Sequence, residues 1–151
     1  MRKILLGFIC ICLLYIGGGG IYGGLSFITD PTGKSMGMSP ELIKNIIVPN
    51  YFIPGIMLLI LFGIIPIITT TGLILKHGLP FITPHDNKPK HNWVWHSAYL
   101  LSMALVLWIL FQLLLIGYGH QLQVMLLGVG VIMFIILRNS EVKEYFGEIN
   151  T

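Results

Sequence analysis

Three tracts without a single Asp, Glu, Lys or Arg set the terms for this chain: residues 4–29, 45–75 and 91–137. A helix that crosses a bilayer needs about 20 consecutive, mostly apolar residues. The first two tracts each hold one such helix. The third is 47 residues long, too long for one crossing and right for two joined by a tight turn. Gly117-Tyr118-Gly119-His120-Gln121 supplies that turn, with glycines that relax the backbone. The predicted spans run over about 4–22, 53–75, 95–116 and 122–137. The last is the shortest, and either extends through Gln121 or sits in a locally thinned bilayer.

Composition supports the same reading. Charged residues make up 10% of the chain, against roughly 25% in a soluble domain. That is too few to coat a surface facing water. Lipid offers no partner to an unpaired backbone group, so a spanning segment is a helix or part of a closed barrel. These tracts lack the strict polar/apolar alternation of barrel strands. The expected architecture is all-α: a transmembrane four-helix bundle forming one domain over residues 1–151, with a short amphipathic helix in the outer loop.

Orientation follows from Lys and Arg in the connecting segments. Arg2, Lys3, Lys76, Lys88, Lys90, Arg138 and Lys143 fall on one side; Lys34 and Lys44 fall on the other. The expected topology is a multi-pass protein of the plasma (inner) membrane with both termini cytoplasmic. The net charge of +3 is then a topology signal. Nucleic acid is not an expected partner, because the basic residues are scattered and share no face.

The first span has features of a signal peptide: Arg2-Lys3, an apolar run, then small residues. Gly17–Gly20 is a poor substitute for an Ala-x-Ala cleavage site, so retention as a helix is expected. Cys10 and Cys12 lie within this span, two residues apart and about 200° apart around a helix. They cannot pair with one another, form no Cys-x-x-Cys motif, and read as packing residues. Gly17, Gly18, Gly19, Gly20, Gly23 and Gly24 crowd around Ile21-Tyr22. Each weakens a helix by about 1 kcal/mol relative to Ala. So many together either unwind the helix end beside an outward-facing cavity or let another backbone approach closely. Gly19/Gly23 and Gly20/Gly24 both have the four-residue spacing of close membrane-helix contacts.

The outer loop, from about residue 23 to 52, opens with Asp30-Pro31-Thr32-Gly33, a turn signal. Ser39-Pro40-Glu41 reads as a helix start. Leu42, Ile43, Ile46 and Ile47 share one face, opposite Glu41, Lys44 and Asn45, as in a short helix lying flat at the membrane surface. In the second span Pro66 is expected to kink the helix, with Thr69, Thr70 and Thr71 returning hydrogen bonds to the freed carbonyls. The inner loop gathers His77, His85, Asp86 and His91 near His96, but at no zinc spacing, so no metal is expected. Trp93 and Trp95 mark the inner interface. Gln112 is the most polar residue within the four spans, about six residues and roughly 9 Å below the outer boundary. Trp108 lies one turn away on the same face. An amide at that depth is expected to bond to another helix or to a ligand. Near the C-terminus, residues 141–146 read as a short capped helix, with Val142, Tyr145 and Phe146 resting on the inner membrane face.

Gly17–Gly20 with Ile21-Tyr22-Gly23-Gly24-Leu25, then Asp30-Pro31-Thr32-Gly33, Tyr51-Phe52-Ile53-Pro54-Gly55, and Trp108-Ile109 with Gln112 and Leu115-Ile116-Gly117 together resemble a family of small bacterial integral membrane proteins of four spans. The resemblance covers nearly the whole chain. It implies an architecture and a membrane location, and no catalytic residue, since that family has no established activity.

The functional expectation is a non-enzymatic membrane protein that binds a lipid-like molecule or a partner membrane protein, which includes a second copy of itself. The candidate ligand-binding residues are Gln112, Trp108, Tyr22, Gly20 and Gly24, all in the outer half. No cofactor is expected. A small oligomeric transporter or channel is the alternative, weakened because no Asp, Glu, Lys or Arg lies mid-membrane. A membrane enzyme is a third reading. Its candidates are Asp30, Glu41 and His120 outside, and His85, Asp86, His91 and His96 inside; neither set has a catalytic spacing. The topology is tested with a phosphatase reporter that is active only outside the cytoplasm. It is expected to be active when inserted after Lys34 and silent when fused after Thr151; the reverse pattern contradicts the orientation.

Overall fold

In the computed structural model the described residues are 2–38, 49–75, 92–117 and 121–145, and their regular structure is entirely helical. Helix α1 is Arg2–Thr29. Helix α2 (Phe52–Met57) passes without a break into a π-helical segment (Leu58–Ile64) and on into α3 (Ile65–Leu75), making one continuous rod. Helix α4 is Asn92–Ile116, α5 is Gln121–Leu137 and α6 is Ser140–Tyr145. Three of these are long and apolar enough to cross a membrane: Ile4–Thr29, Phe52–Ile74 and Trp93–Leu114, with 26, 23 and 22 residues. Helix α5 is a shorter apolar helix of 17 residues, about 25 Å at 1.5 Å per residue.

The outward faces are as apolar as the interior. Ile11 is 66% exposed, Ile74 63%, Leu107 62% and Ile135 63%. Water would not tolerate so much contiguous apolar surface on a small protein. Lipid matches it, so here helix association comes from shape and close contact, with little from hydrophobic transfer.

The first span runs seven residues past the expected end at Tyr22, to Thr29. The glycine cluster does not unwind the helix; it is the contact surface of a helix seam. The buried residues Leu6, Ile9, Leu13, Ile16, Gly20, Gly23 and Phe27 form a line along α1, flanked by the buried Cys12, Gly17 and Gly24. Along the line the spacing alternates three and four, the register of helices packed knobs-into-holes. Call the end of the bundle holding the start of α1 the near end, and the end holding Thr29 the far end. At the near end the seam is built from large side chains. Toward the far end it is built from glycine.

Gly20 lies flat on the Phe62–Gly63 peptide, with the Phe62 carbonyl nearer than any Cβ would allow. A Cβ at Gly24 would lie 2.7 Å from Leu59 N and 2.9 Å from Gly55 O. The partner helix answers with its own glycines: a Cβ at Gly55 would meet Phe27 Cβ at 2.8 Å, and one at Gly63 would meet Ile21 N at 3.1 Å. Two backbones therefore touch directly, each relieved of side chains where they meet. Gly18 and Gly19 face open space instead. Of the two glycine pairs with four-residue spacing, it is Gly20/Gly24 that forms the backbone contact; Gly23 meets only the Leu58 side chain, at 3.0 Å.

Pro66 explains the partner's shape. It has no amide to donate to the Phe62 carbonyl four residues earlier, and its ring crowds that carbonyl in a regular α-helix. The chain widens into π-helix immediately before it, with Ile65 N donating to Ile60 O, five residues back. The widened turn presents the Phe62–Gly63 peptide on which Gly20 sits. Contrary to the expectation from the sequence, the three threonines do not serve the carbonyls freed beside the proline. Thr69, Thr70 and Thr71 each donate to the carbonyl four residues earlier, Ile65, Pro66 and Ile67, at 2.8–2.9 Å. This satisfies each hydroxyl in lipid.

The near end is closed around Ile9 and Leu13 of α1, Ala98 and Leu101 of α4, and Met133 and Leu137 of α5. Trp95 donates its indole N–H to Leu137 O at 2.9 Å, so a buried indole satisfies one of the last carbonyls of α5. The Trp93 ring covers Gly72. Both indoles thus serve as packing elements as well as interfacial markers. Asn139 Oδ1 accepts from Glu141 N and caps α6. Val142 is fully buried in the bundle, where the sequence placed it on the membrane face, because the two-residue turn after Leu137 folds α6 back on α1 and α5. Cys10 is half-buried, Cys12 buried, and both are free thiols. The predicted outer amphipathic helix at 39–48 and the inner loop at 76–91 lie outside the described residues.

Adding a methyl group tests the seam. Gly20→Ala is expected to destabilise the protein by about 1–3 kcal/mol through forced separation of the helices. Gly19→Ala, into open space, is expected to be neutral or stabilising by up to about 1 kcal/mol through helix propensity. Denaturation in detergent micelles measures both.

Candidate functional site

Helix α4 carries its own seam: Val94, Ala98, Leu101 and Leu105 are buried at spacings of four, three and four. The next positions in that register are 108 and 112. Two contacts fix α4 against the rod. The Thr69 and Ser97 hydroxyls lie 2.8 Å apart. Since Thr69 donates its proton to Ile65 O, Ser97 is the donor between them. Further along, Phe62 and Trp108 meet ring to ring, with centroids 6.1 Å apart and planes tilted by 45°. The two contacts run antiparallel along the rod, and Gln112 lies one turn beyond Trp108 on the same face of α4.

At that level the packing changes. Beyond Ile109, α4 has no buried residue among those described, and α5 has none before Gly130. Phe111 and Leu114 on one side, and Ile56 and Ile60 on the other, are exposed. Helix α2 makes no more than slight contact with α4 or α5. The α1–rod pair stays in backbone contact through its glycines, whereas Leu113 of α4 and Leu126 and Leu127 of α5 are only partly buried against the core. The Phe62–Trp108 contact lies where full burial of α4 gives out.

Gln112 stands one turn beyond Trp108. It is half-buried, at a register position that faces the core elsewhere on α4. Its amide makes no hydrogen bond with any described residue. Helix α4 ends four residues later, at Ile116, so the amide lies about 6 Å below the helix end. A primary amide has two donors and an acceptor, and without partners in an apolar setting it costs a few kcal/mol.

The five residues singled out in the sequence do not come together. Trp108 and Gln112 lie one turn apart, both half-buried, on the same face of α4. Gly20 and Gly24 are covered by the backbone of the rod and line no cavity. Tyr22 is 68% exposed; two residues from Gly20 on a helix, it points away from the seam. Phe62, absent from that set, is the aromatic partner of Trp108. Its signal was its position four residues before Pro66.

A compact turn closes the far end of the α1–rod pair. Phe27 and Tyr51 stack with centroids 5.1 Å apart and planes 16° apart. Gly33, at φ +76°, folds the chain over the Tyr51 ring, and Tyr51 N donates to Pro31 O at 3.0 Å. The Asp30 carboxylate organises this turn. It accepts from the Thr32 hydroxyl at 2.6 Å, the Ser35 amide at 2.8 Å and the Thr32 amide at 3.1 Å. The Thr32 hydroxyl, then the Ser35 amide, hold its pKa below the ordinary carboxylate range. A carboxylate so engaged is a turn organiser and a poor base. Among the described residues no three His, Cys, Asp or Glu side chains gather as a metal site would require. His77, His85, His91 and His120 lie outside them.

The fold therefore defines an all-helical chain of the membrane class, with apolar helices long enough to span. Comparison with protein-family models, with curated proteins and with solved structures gave no match.

The Asp30 turn carries a pH signature. Its carboxylate is more acidic folded than unfolded, so the turn's contribution is present above the unfolded carboxylate pKa and lost as pH falls through the folded one. Protection of the Ser35 amide from hydrogen exchange is expected to hold from neutral pH to about pH 4 and to fall below it. Asp30→Asn is expected to lower protection at neutral pH and flatten this dependence.

Proposed function

We propose that this chain is a four-span protein of the bacterial plasma membrane, with both termini cytoplasmic, that binds a lipid-like molecule at the far end beside Gln112 and Trp108. The observation that carries the reading is the unpartnered amide. Gln112 occupies a core-facing register position beyond the last fully buried residue of α4, and its amide makes no hydrogen bond with a described residue. An amphiphile with an ester, amide or hydroxyl group satisfies it and lays its chain against Trp108, Phe62 and the exposed isoleucines of the rod. The wall is apolar with one polar anchor, the usual composition of a small-molecule site.

A transporter draws some support from the π-helical segment, since such segments recur at functional sites. The buried polar side chains that would have to serve a pathway are hydroxyls, and Thr69, Thr70 and Ser102 already donate to backbone carbonyls. The lipid-binding reading needs no such pathway.

Native mass spectrometry of the protein released from its own membranes tests the proposal. One retained amphiphile is expected. Gln112→Leu, which keeps the volume and removes the polar group, is expected to reduce its occupancy at least several-fold with expression and thermal stability unchanged. Protein that carries no amphiphile, or a Leu variant that retains it in full, contradicts the reading.

A further inference from the structure

A second surface, at the opposite end of the bundle, has its own chemistry. Trp95 and Tyr99 of α4 stack with centroids 5.1 Å apart and planes 12° apart. Tyr99 stacks in turn on Phe134 of α5, at 5.2 Å and 28°. A cation rests on the ring at each end of this series. The Arg138 guanidinium carbon is 5.6 Å from the Phe134 centroid, and the Lys143 ammonium is 5.8 Å from that of Trp95. The series joins α4, α5 and α6. It is held by the Trp95 indole bond to Leu137 O and by the buried Val142 of α6.

These cations are positioned by aromatic faces. Neither makes an ion pair with a described residue, although Glu141 and Glu144 share α6 with Lys143. Arg138 is exposed, so its guanidinium keeps donors free toward solvent. It also ends a lipid-facing stripe on α5: Val124, Val131 and Ile135 are 54%, 41% and 63% exposed, and Gly128 between them has nothing within 4 Å of where a Cβ would stand. The spacing of four and three carries this stripe straight to Arg138. A chain lying along it in the bilayer has its headgroup at the guanidinium.

We infer that Arg138 binds the phosphodiester headgroup of an anionic phospholipid in the near-end leaflet, with one acyl chain seated along the Gly128 stripe of α5 and Lys143, at the other end of the aromatic series, adding positive charge to the same end of the bundle. The planar guanidinium takes two phosphate oxygens in a fork, and the ammonium raises the attraction for an anionic headgroup without sharing that fork. Basic groups at the mouth of a helix bundle, next to apolar helix faces, match this ligand class. The acyl stripe is what selects a lipid over a free anion. The site lies at the near end, opposite Gln112, and stands whether or not a ligand binds beside Gln112.

The test uses the full chain in nanodiscs of phosphatidylglycerol and phosphatidylcholine in equal parts, with bound lipids counted by native mass spectrometry on ejection. Phosphatidylglycerol is expected to be enriched at least threefold over the bulk ratio on the wild-type protein. Arg138→Gln with Lys143→Gln is expected to abolish the enrichment, while Lys34→Gln at the opposite end leaves it intact. Gly128→Leu, which fills the acyl stripe and keeps both charges, is expected to reduce it. Thermal stability in the two lipids gives a second readout, expected to favour phosphatidylglycerol for wild type only. Enrichment that survives the double substitution, or that is lost equally with Lys34→Gln, overturns the proposal. Stabilisation in detergent by millimolar inorganic phosphate equal to that by the lipid also overturns it, since the site is then a free-anion site.

Discussion

The contact between Gly20 and the Phe62–Gly63 peptide governs the rest of this molecule. Helices in lipid gain little from hiding apolar surface, so they hold together by how closely their atoms approach. Removing the side chains from Gly20, Gly24, Gly55 and Gly63 brings two backbones into direct contact over several turns. The approach depends on the geometry of the partner, and that geometry depends on Pro66. By forbidding a regular α-helical bond to Phe62, the proline widens the turn before it and turns a peptide plane toward α1. The glycines and the proline belong to one device.

That device also creates the asymmetry of the bundle. Where α1 offers Leu6, Ile9, Leu13 and Ile16, its seam is bulky enough to reach α4 and α5 as well as the rod, and a single core forms. Where α1 offers glycine, it sinks into the rod, and beyond Ile109 no described residue of α4 is fully buried. The same three-four register that buries Leu101 and Leu105 then leaves Trp108 and Gln112 half-buried. A half-buried amide without a described partner is the consequence. The two ends of the molecule differ accordingly: the near end is stapled by a tryptophan, an aromatic series and two cations, and the far end is fastened on one side only.

The helices were legible in the sequence because charge-free tracts leave a chain in lipid few other options. The expectation that α1 stops at Tyr22 failed for a physical reason: glycine's low helix propensity applies to an isolated helix, and close packing outweighs it here. Hydropathy could not tell which face of α1 is inside, since Ile9 is buried and Ile11 exposed with the same side chain. The size of the residue carried that information, in the three-four spacing of Gly20, Gly23 and Phe27. Of the candidate residues, polarity and spacing pointed to Trp108 and Gln112, which share a half-buried face of α4. Tyr22 stands apart from the seam glycines because two residues on a helix point in nearly opposite directions. Phe62 went unnoticed because nothing in an apolar run marks the residue that will meet a tryptophan ring.

The central claim is that the bundle is closed around Leu101 and Leu105 and open to lipid chains at Trp108 and Gln112. Photo-crosslinking with a phospholipid carrying a diazirine on its acyl chain, read residue by residue by mass spectrometry, tests it on the unaltered protein. Adducts are expected at Trp108 and Gln112 as well as on outward residues such as Leu107 and Leu114, with none at Leu101 or Leu105. Adducts confined to Leu107 and Leu114, with Trp108 and Gln112 as protected as Leu105, would show the far end to be closed and contradict the account.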